Sequence, residues 1–184
     1  MTAVISLGKF ARVSLRDAWP TEDGNFTPWL AEATNIALLG EALNMELEVE
    51  AVEERVGSFR ADILARAIDE TEQHRVIIEN QFSRTDHGHL GQILTYLAGI
   101  EGVKTVVWIA ETIQADHRAA IDWLNTNTTE EFSFFAIEIE LWRIGETSQM
   151  EGRITNLANS YLARAAHNAF VILRAAEAAA HTSC

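Results

Sequence analysis

The chain has 184 residues, of which 48% are hydrophobic and 22% charged, and its 14 basic and 27 acidic side chains give a formal net charge of −13. This composition indicates one folded domain and argues against a disordered acidic protein. The one cysteine, Cys184, is the last residue, which excludes an intramolecular disulfide and a cysteine-rich zinc site. The acidic balance argues against binding nucleic acid by bulk electrostatics, although a bound metal ion can supply local positive charge.

Membrane insertion is not expected. The apolar stretch within residues 1–19 is too short for a signal peptide, and no segment approaches the roughly 20 apolar residues of a membrane span. We therefore expect a cytoplasmic protein that does not contact a membrane.

The first predicted helix begins at Phe26 and runs to about Leu43, with Thr27 as its N-cap and Pro28 in its first turn. Its buried stripe consists of Ile36, Leu39 and Leu43. Glu32 falls on the same stripe, four residues before Ile36, and an acid on a core-facing stripe is unusual. A purely structural role is also possible, because the helix dipole favours an acid in the first turns.

The rest of the chain alternates between strand-like and helical patterns. Strands are predicted over 46–52, 58–65 and 75–81, followed by a helix over 86–98 that buries Leu90, Leu94 and Leu97, a strand over 103–110, a helix over 114–125 and a strand over 132–142. From about 153 to 180 the sequence is rich in alanine, which predicts one long helix or two. The aromatic residues Trp108, Trp123 and Trp142 are expected in the core.

This order predicts a mixed α/β sheet, with a three-strand meander followed by parallel strands, flanked by helices and extended by an Ala-rich C-terminal helix. We expect an N-terminal extension over 1–25, one domain over 26–150 and a C-terminal helical segment over 151–184. The last of these offers a surface for homodimerisation, because Ala-rich faces allow close approach.

Acidic side chains interrupt two of the predicted strands. Because strand side chains alternate, Glu79 and Gln81 point to one face and Asn80 to the other. An acid within an apolar strand is costly to bury unless it is compensated. If the second and third strands pair, Asp62 comes close enough to Glu79 for both to bind one divalent ion.

The same polar residues also fit purely structural roles. Asp62 and Glu79 can form buried ion pairs with Arg60 or Arg75 instead of binding an ion. His87 and His89 form a His-x-His pattern, but positions i and i+2 do not share a helix face, so we do not predict a zinc site there. Asp86 is interpreted as a helix N-cap together with Thr85.

This pattern resembles the PD-(D/E)XK nuclease superfamily, which has the restriction-endonuclease-like fold. Asp62 matches the metal-binding Asp of the second strand, and Glu79-Asn80-Gln81 matches the acid-any-Lys triplet of the third, with Gln81 in place of Lys and Ala61 in place of Pro. The phrases FTPWLAE, VGSFRADILA, VIIENQ, TDHGHLGQ and FFAIEIELWRIG are similar to a bacterial branch in which the triplet typically reads Glu-Asn-Gln. The similarity covers about residues 26 to 145.

The resemblance implies a nuclease that hydrolyses DNA phosphodiester bonds with Mg²⁺ or Mn²⁺, in defence or repair. It assigns the metal to Asp62, Glu79 and the backbone carbonyl of Asn80, with Glu32 as an accessory acid. Gln81 would orient the attacking water, although an amide lacks the charge of the usual Lys.

Further contacts with substrate are implied on the helix after the triplet. His89, Gln92 and Tyr96 share one helix face, and Gln92 with Tyr96 resembles the Gln-x-x-x-Tyr motif of the exonuclease-like branch. The structural alternative is that both residues hydrogen-bond the sheet edge. Arg84 is the nearest candidate for the missing positive charge.

The acidic charge predicts weak affinity for DNA by the chain alone. Two alternatives to an active nuclease are therefore retained. One is a catalytically inactive binding module with the nuclease fold, and the other is a nuclease subunit that needs a DNA-binding protein partner.

Overall fold

The computed structural model of the chain describes residues 10–56, 59–68, 73–144, 150–158 and 171–175. Its strands are β1 (Phe10–Val13), β2 (Glu46–Val56), β3 (Phe59–Ile68), β4 (His74–Arg84), β5 (Val103–Thr112), β6 (Ser133–Ile144), β7 (Met150–Ala158) and β8 (Val171–Ala175). Its α-helices are α1 (Thr27–Leu30), α2 (Ala33–Leu43), α3 (His87–Gly99) and α4 (Ala115–Asn127). A 3-10 turn (Leu15–Asp17) and a π-helical turn (Glu22–Phe26) precede α1.

The strands of the described ranges form one mixed sheet in the order β2-β3-β4-β5-β6-β7-β8, and β1 pairs with β6. Strands β2, β3 and β4 are an antiparallel meander, β4, β5 and β6 are parallel, and β7 and β8 are antiparallel. The predicted mixed sheet, its meander and its parallel additions are confirmed. This is also the order of helix, meander, helix and strand that the resemblance to the restriction-endonuclease-like fold implies.

Helices cover both faces of the sheet. On one face, the turns before α1 and helices α1 and α2 bury Leu15, Trp19, Phe26, Leu30, Ile36 and Leu39 against β3 to β6. On the other face, Ile93 of α3 and Ile121 of α4 pack against Val106, Trp108 and Phe134. Because β4 and β5 are covered on both sides, their central residues are buried without alternation.

The first predicted helix is divided into two. Glu32 has extended backbone angles and is the N-cap residue of α2, so the chain changes direction between α1 and α2. The prediction that Thr27 caps a helix is wrong, because a π-helical turn enters α1 directly and Thr27 is helical and fully buried. Thr21 is the capping residue instead, and its hydroxyl accepts the Gly24 N–H.

The Ala-rich C-terminal helix is not found where the structure describes the tail. Residues 150–158 and 171–175 are strands β7 and β8, which continue the sheet from β6. The alanine content favours helix, but the β-branched Ile154, Thr155, Val171 and Ile172 favour strand, and β7 pairs along the edge of β6. The remaining predicted helix, 159–170 and 176–180, lies outside the described residues, so dimerisation through it stays untested.

Two predicted core residues are exposed. Trp123 on α4 is 62% exposed and Leu94 on α3 is 40% exposed. The buried side chains of α3 are Ile93 and Tyr96, so the helix is rotated from the predicted leucine stripe. Among the described helices, none has both the length and the apolar character needed to cross a membrane.

Candidate active site

Asp62 and Glu79 lie opposite each other where β3 and β4 stop pairing. The ladder includes Ile63 with Ile78, and the next opposed positions are Asp62 and Glu79. There the Asn80 N–H donates to the Asp62 side chain, at 2.7 Å from Oδ2, and the Asp62 backbone N–H lowers the pKa of Glu79. The predicted proximity of the two acids is therefore present, and it follows from the register of the meander.

The two carboxylates are held in a poorly solvated place. Glu79 is 4% exposed, and its Oε2 has no hydrogen-bond partner among the described residues. Burial, followed by the nearby Asp62 charge, raises the pKa of Glu79 to about 9. Burial also raises the pKa of Asp62 to about 7, against the lowering effect of the Asn80 N–H bond. The pair therefore needs a cation or a proton as compensation.

The two arginines that could have neutralised the acid pair are engaged elsewhere. The Arg60 Nε lies 2.5 Å from Glu53 Oε2, and the Arg75 Nε lies 2.8 Å from Glu50 Oε2. Neither forms the ion pair with Asp62 or Glu79 that would have made the acids a structural feature alone.

A third acid completes a row across three adjacent strands. Val52 pairs with Ile63 and Glu54 with Ala61, so Glu53 of β2 stands opposite Asp62. Glu53 has a φ of 60°, which is rare for a residue with a side chain, and its Oε1 is buried without a hydrogen-bond partner. We call Glu53, Asp62 and Glu79 the acid row, in which Glu53 is already paired with Arg60.

Glu53 was missed by sequence reasoning, although a signal for it exists. Val56 pairs with Phe59, and the sequence has only the connection Gly57-Ser58 between these two residues. Short hairpin loops with glycine fix the register of the flanking strands. Counting back from that connection places Glu53 opposite Asp62.

The predicted accessory acid, Glu32, is placed at the start of α2. Its Oε2 lies 3.4 Å from Asn35 Nδ2. After burial and the Asn80 bond, the acids that most affect the pKa of Asp62 are Glu53 and Glu22. Glu22, at the start of the π-helical turn, is thus an acid near the pair that the sequence did not suggest, and a metal-binding role of Glu32 stays a prediction.

Gln81 is held firmly by its amide nitrogen. Its Nε2 donates to Arg84 O at 2.9 Å and to Asp86 Oδ2 at 2.7 Å, while its Oε1 is buried without a partner. Asp86 caps α3, as predicted, by accepting the His89 N–H. Burial raises the pKa of Asp86, but the hydrogen bonds from His89 and Gln81 outweigh this effect and lower it to about 2.

The backbone and the side chain of Asn80 make hydrogen bonds on different sides of the sheet. Its backbone N–H binds Asp62, whereas its side chain points to the opposite face and donates to Thr27 Oγ1 at 3.0 Å. This buried bond fixes β4 against α1. The predicted contact of the Asn80 carbonyl with a metal ion stays a prediction.

The residues expected to contact substrate differ from one another in burial. Tyr96 is buried, and its hydroxyl donates to Arg60 O at 3.0 Å, so the structural alternative applies to it. Burial and then the charges of Glu79 and Asp62 raise the pKa of Tyr96 to about 12, which places it beside the pair. Gln92 is half-buried and Arg84 is exposed at the end of β4. Substrate contacts of His89, Gln92 and Arg84 stay predictions.

Asp62 and Glu79, with Glu53 nearby, offer carboxylate oxygens to a divalent cation such as Mg²⁺ or Mn²⁺. Such ions prefer carboxylate oxygens, and the row offers two buried oxygens without partners, Glu79 Oε2 and Glu53 Oε1. Arg60 and Arg75 pair with other acids, and among the described residues His89 is the cationic group that lowers the pKa of Asp62. These residues can hold the ion that the resemblance implies.

Comparisons with known proteins give two partial structural similarities. No sequence model of a protein family matches the chain, and the curated proteins give no significant match. The chain is similar to a solved structure described as "a repair endonuclease from Pyrococcus abyssi", with 16% identity and a TM-score of 0.41 over 59% of this chain and 46% of that one. It is also similar to a chain of a solved "EndoMS-dsDNA2 complex", with 16% identity and a TM-score of 0.40 over 59% and 44%.

The chain thus spans less than half the length of either solved structure. Activity is therefore inferred from the acid row itself rather than from these neighbours.

Proposed function

We propose that this chain is a metal-dependent nuclease that hydrolyses DNA phosphodiester bonds, with Asp62 and Glu79 as ligands of Mg²⁺ or Mn²⁺. The observation that carries the proposal is the buried Glu79 carboxylate beside Asp62, because Glu79 Oε2 has no hydrogen-bond partner among the described residues. Buried charges in proteins are ordinarily paired or bound to metal. A role in defence or repair accompanies this proposal.

The charge of the site supports a cation as part of the substrate complex. Glu22, Glu53, Asp62 and Glu79 act electrostatically on one another, and they would repel a phosphodiester without a counter-ion. When bound, a divalent ion stabilises the charge that develops on phosphate and makes a bound water a stronger nucleophile at neutral pH. Arg84 is exposed at the end of β4, and in this proposal it offsets charge on the same substrate.

Gln81 has a defined part in this arrangement. Its nitrogen is committed to Arg84 O and Asp86, so the atom left for a water molecule is Oε1, which only accepts hydrogen bonds. Gln81 therefore orients a water by accepting its O–H, and Asp86 positions Gln81. Unlike a lysine, the amide adds no positive charge, so the ion alone supplies it.

The test is cleavage of supercoiled plasmid, single-stranded DNA, branched DNA and RNA with Mg²⁺ or Mn²⁺. Asp62→Asn and Glu79→Gln remove one ligand charge each with little change in volume, and Glu54→Gln, at an exposed neighbouring position of β2, is the matched control. We expect metal-dependent cutting of DNA by the unmodified chain and by Glu54→Gln. Both site variants should lose at least about 100-fold in rate, the scale of losing an electrostatic contact in the transition state.

Cutting that persists in both site variants contradicts the assignment of Asp62 and Glu79. Absence of cutting on every substrate contradicts an active nuclease and leaves the binding module or the subunit that needs a partner. The uncharged Gln81 and the net charge of −13 favour that alternative. It predicts that the chain binds Mn²⁺ without cutting, and that a DNA-binding partner restores cleavage only in the subunit case.

A further inference from the structure

A second group of metal-binding side chains lies at the N-terminal turns of α3 and α4. His87 of α3 faces His117 of α4, with His87 Nδ1 and His117 Nε2 2.8 Å apart and the two rings nearly perpendicular. Asp116 Oδ1 lies 3.8 Å from His117 Nδ1, and one ligand atom from each of the three residues falls within 4.8 Å of the others. We call His87, Asp116 and His117 the histidine cluster.

The ring of His117 is fixed by its surroundings. It is 2% exposed, packs beside Trp108, and its Nδ1 lies 2.8 Å from Thr85 Oγ1, which accepts the Gln114 N–H. If His117 Nδ1–H donates to the threonine, its Nε2 presents a lone pair toward His87. Metal-binding histidines are held in this way, with the second ring nitrogen donating to a neighbour that fixes the tautomer.

Only one proton can lie between the two facing ring nitrogens, since they are within hydrogen-bond distance. An ion can replace that proton, and the exposed position of His87 lets it adjust. Tetrahedral ligands at about 2.05 Å from zinc lie roughly 3.3 Å apart, so His87 has to move outward by about half an ångström.

The donor set selects a different ion from that of the acid row. Two imidazoles and one carboxylate suit zinc and similar transition metals, whereas Mg²⁺ prefers oxygen ligands alone. Three protein ligands with two of them exposed leave a coordination position for water.

We propose that His87, Asp116 and His117 bind one transition-metal ion of the zinc class, independently of the ion at Asp62 and Glu79. The ion ties the first turn of α3 to the first turn of α4. Asp86, which holds Gln81, directly precedes His87. The ion therefore stabilises the part of the chain that positions Gln81.

The experiment is a calorimetric titration of the full chain with Zn²⁺ alone, in an Asp62→Asn background that weakens the acid row. Two variants test the cluster, His87→Gln and Asp116→Asn, and both change exposed side chains that folding tolerates. His89→Gln on α3 and Asp122→Asn on α4 are matched controls that lie outside the cluster. Thermal unfolding with and without Zn²⁺, and the visible spectrum of bound Co²⁺, accompany the titration.

We expect one Zn²⁺ per chain, a weakening of at least tenfold in His87→Gln and in Asp116→Asn, and unchanged binding in the two controls. Zinc should raise the unfolding temperature, and Co²⁺ should give a spectrum that both cluster variants lose. The proposal is overturned if no ion binds, or if binding in the cluster variants equals that in the controls.

Failure of this proposal is distinguishable from failure of the nuclease proposal. Zinc binding without DNA cleavage contradicts only the nuclease, and metal-dependent cleavage without zinc binding contradicts only the histidine cluster.

Discussion

The acid row and the histidine cluster both group side chains of types that bind metal ions. They are built by different elements of the fold. The acid row is built by strand register, and it buries the Glu79 carboxylate beside the charge of Asp62. The histidine cluster is built by two helix starts, and its two imidazoles already share a hydrogen bond. One region therefore needs a counter-ion for its charge, whereas the other needs only the loss of a proton.

The sheet and the helices bring side chains together in different ways. A sheet can oppose acids from β2, β3 and β4 in one line, because register determines which side chains meet. Helix ends bring in residues distant in sequence, such as His87 and His117, that no strand pattern predicts. The first region fits hard cations and the second fits softer ones.

The largest expected effect concerns the pH dependence of Mn²⁺ binding to the acid row. An ion must displace the protons that burial keeps on Glu79 and Asp62, whose pKa values are raised to about 9 and about 7. Affinity for Mn²⁺ should therefore rise with pH, on the order of 1000-fold between pH 6 and pH 8. Calorimetry in buffers of different ionisation enthalpy checks this, since protons should be released on binding. A flat profile would contradict the protonated pair.

The next effect is on stability without metal. Glu79 keeps its proton far above its ordinary pKa of 4.5, so between about pH 5 and pH 9 the folded state binds more protons than the unfolded state. The free energy of unfolding should then fall as pH rises through this window. Glu79→Gln removes the titrating group and should stabilise the metal-free chain by on the order of 2 kcal/mol at pH 8. Denaturant unfolding of both proteins at pH 5 and pH 8, without metal, measures the difference in the free energy of unfolding.

The control for that prediction is Glu54→Gln, whose side chain is exposed. Its pH dependence should match that of the unmodified chain. If the free energy of unfolding changed with pH equally in Glu79→Gln and in the unmodified chain, Glu79 would not carry the buried proton.

A smaller effect separates Glu53 from its neighbour. Glu53 contributes charge to Asp62 and a buried oxygen without a partner, whereas Glu54 is exposed to solvent. Glu53→Gln should weaken Mn²⁺ binding about tenfold, which is the effect of roughly 1.4 kcal/mol. Glu54→Gln should change it less than twofold. Equal affinities in the two variants would place Glu53 outside the ion site.

The smallest expected effect is at the connection between the two regions. Asp86→Ala removes the N-cap of α3 and releases the Gln81 amide. Loss of a capping carboxylate should cost about 1 kcal/mol in the free energy of unfolding. If Gln81 orients the attacking water, cleavage should fall severalfold while Mn²⁺ affinity stays the same. A fall in affinity of similar size would instead assign Asp86 to the ion site.

Much of the sheet could be predicted because local pattern and packing agree there. The three meander strands, the buried β5 and the N-cap Asp86 follow from alternation, apolar runs and capping chemistry. The pairing of Asp62 with Glu79 followed from the same strands. Glu53 and Glu22 could not be found in this way, since one depends on register at a residue with positive φ and the other on a turn that packs from outside the sheet.

Two predictions were wrong because they were based on amino-acid composition or residue type and not on the spacing of apolar residues. Alanine content suggested a C-terminal helix, yet β-branched residues beside the edge of β6 form β7. The expectation that aromatic residues lie in the core also placed Trp123 inside, although α4 covers the sheet through Ile121 and Trp123 is 62% exposed. Tertiary context decided both cases.

The pairing of β1 with β6 has a consequence for how the sheet is completed. Phe10 of β1 pairs with Ile144 of β6, so β1 cannot complete its pairing until β6 is present. Contacts so distant in sequence form slowly, and a chain emerging from the ribosome carries β1 without its partner until β6 is made. The meander that bears the acid row consists of neighbouring segments, and we expect it to assemble earlier. Folding kinetics should therefore show the N-terminal strand docking last.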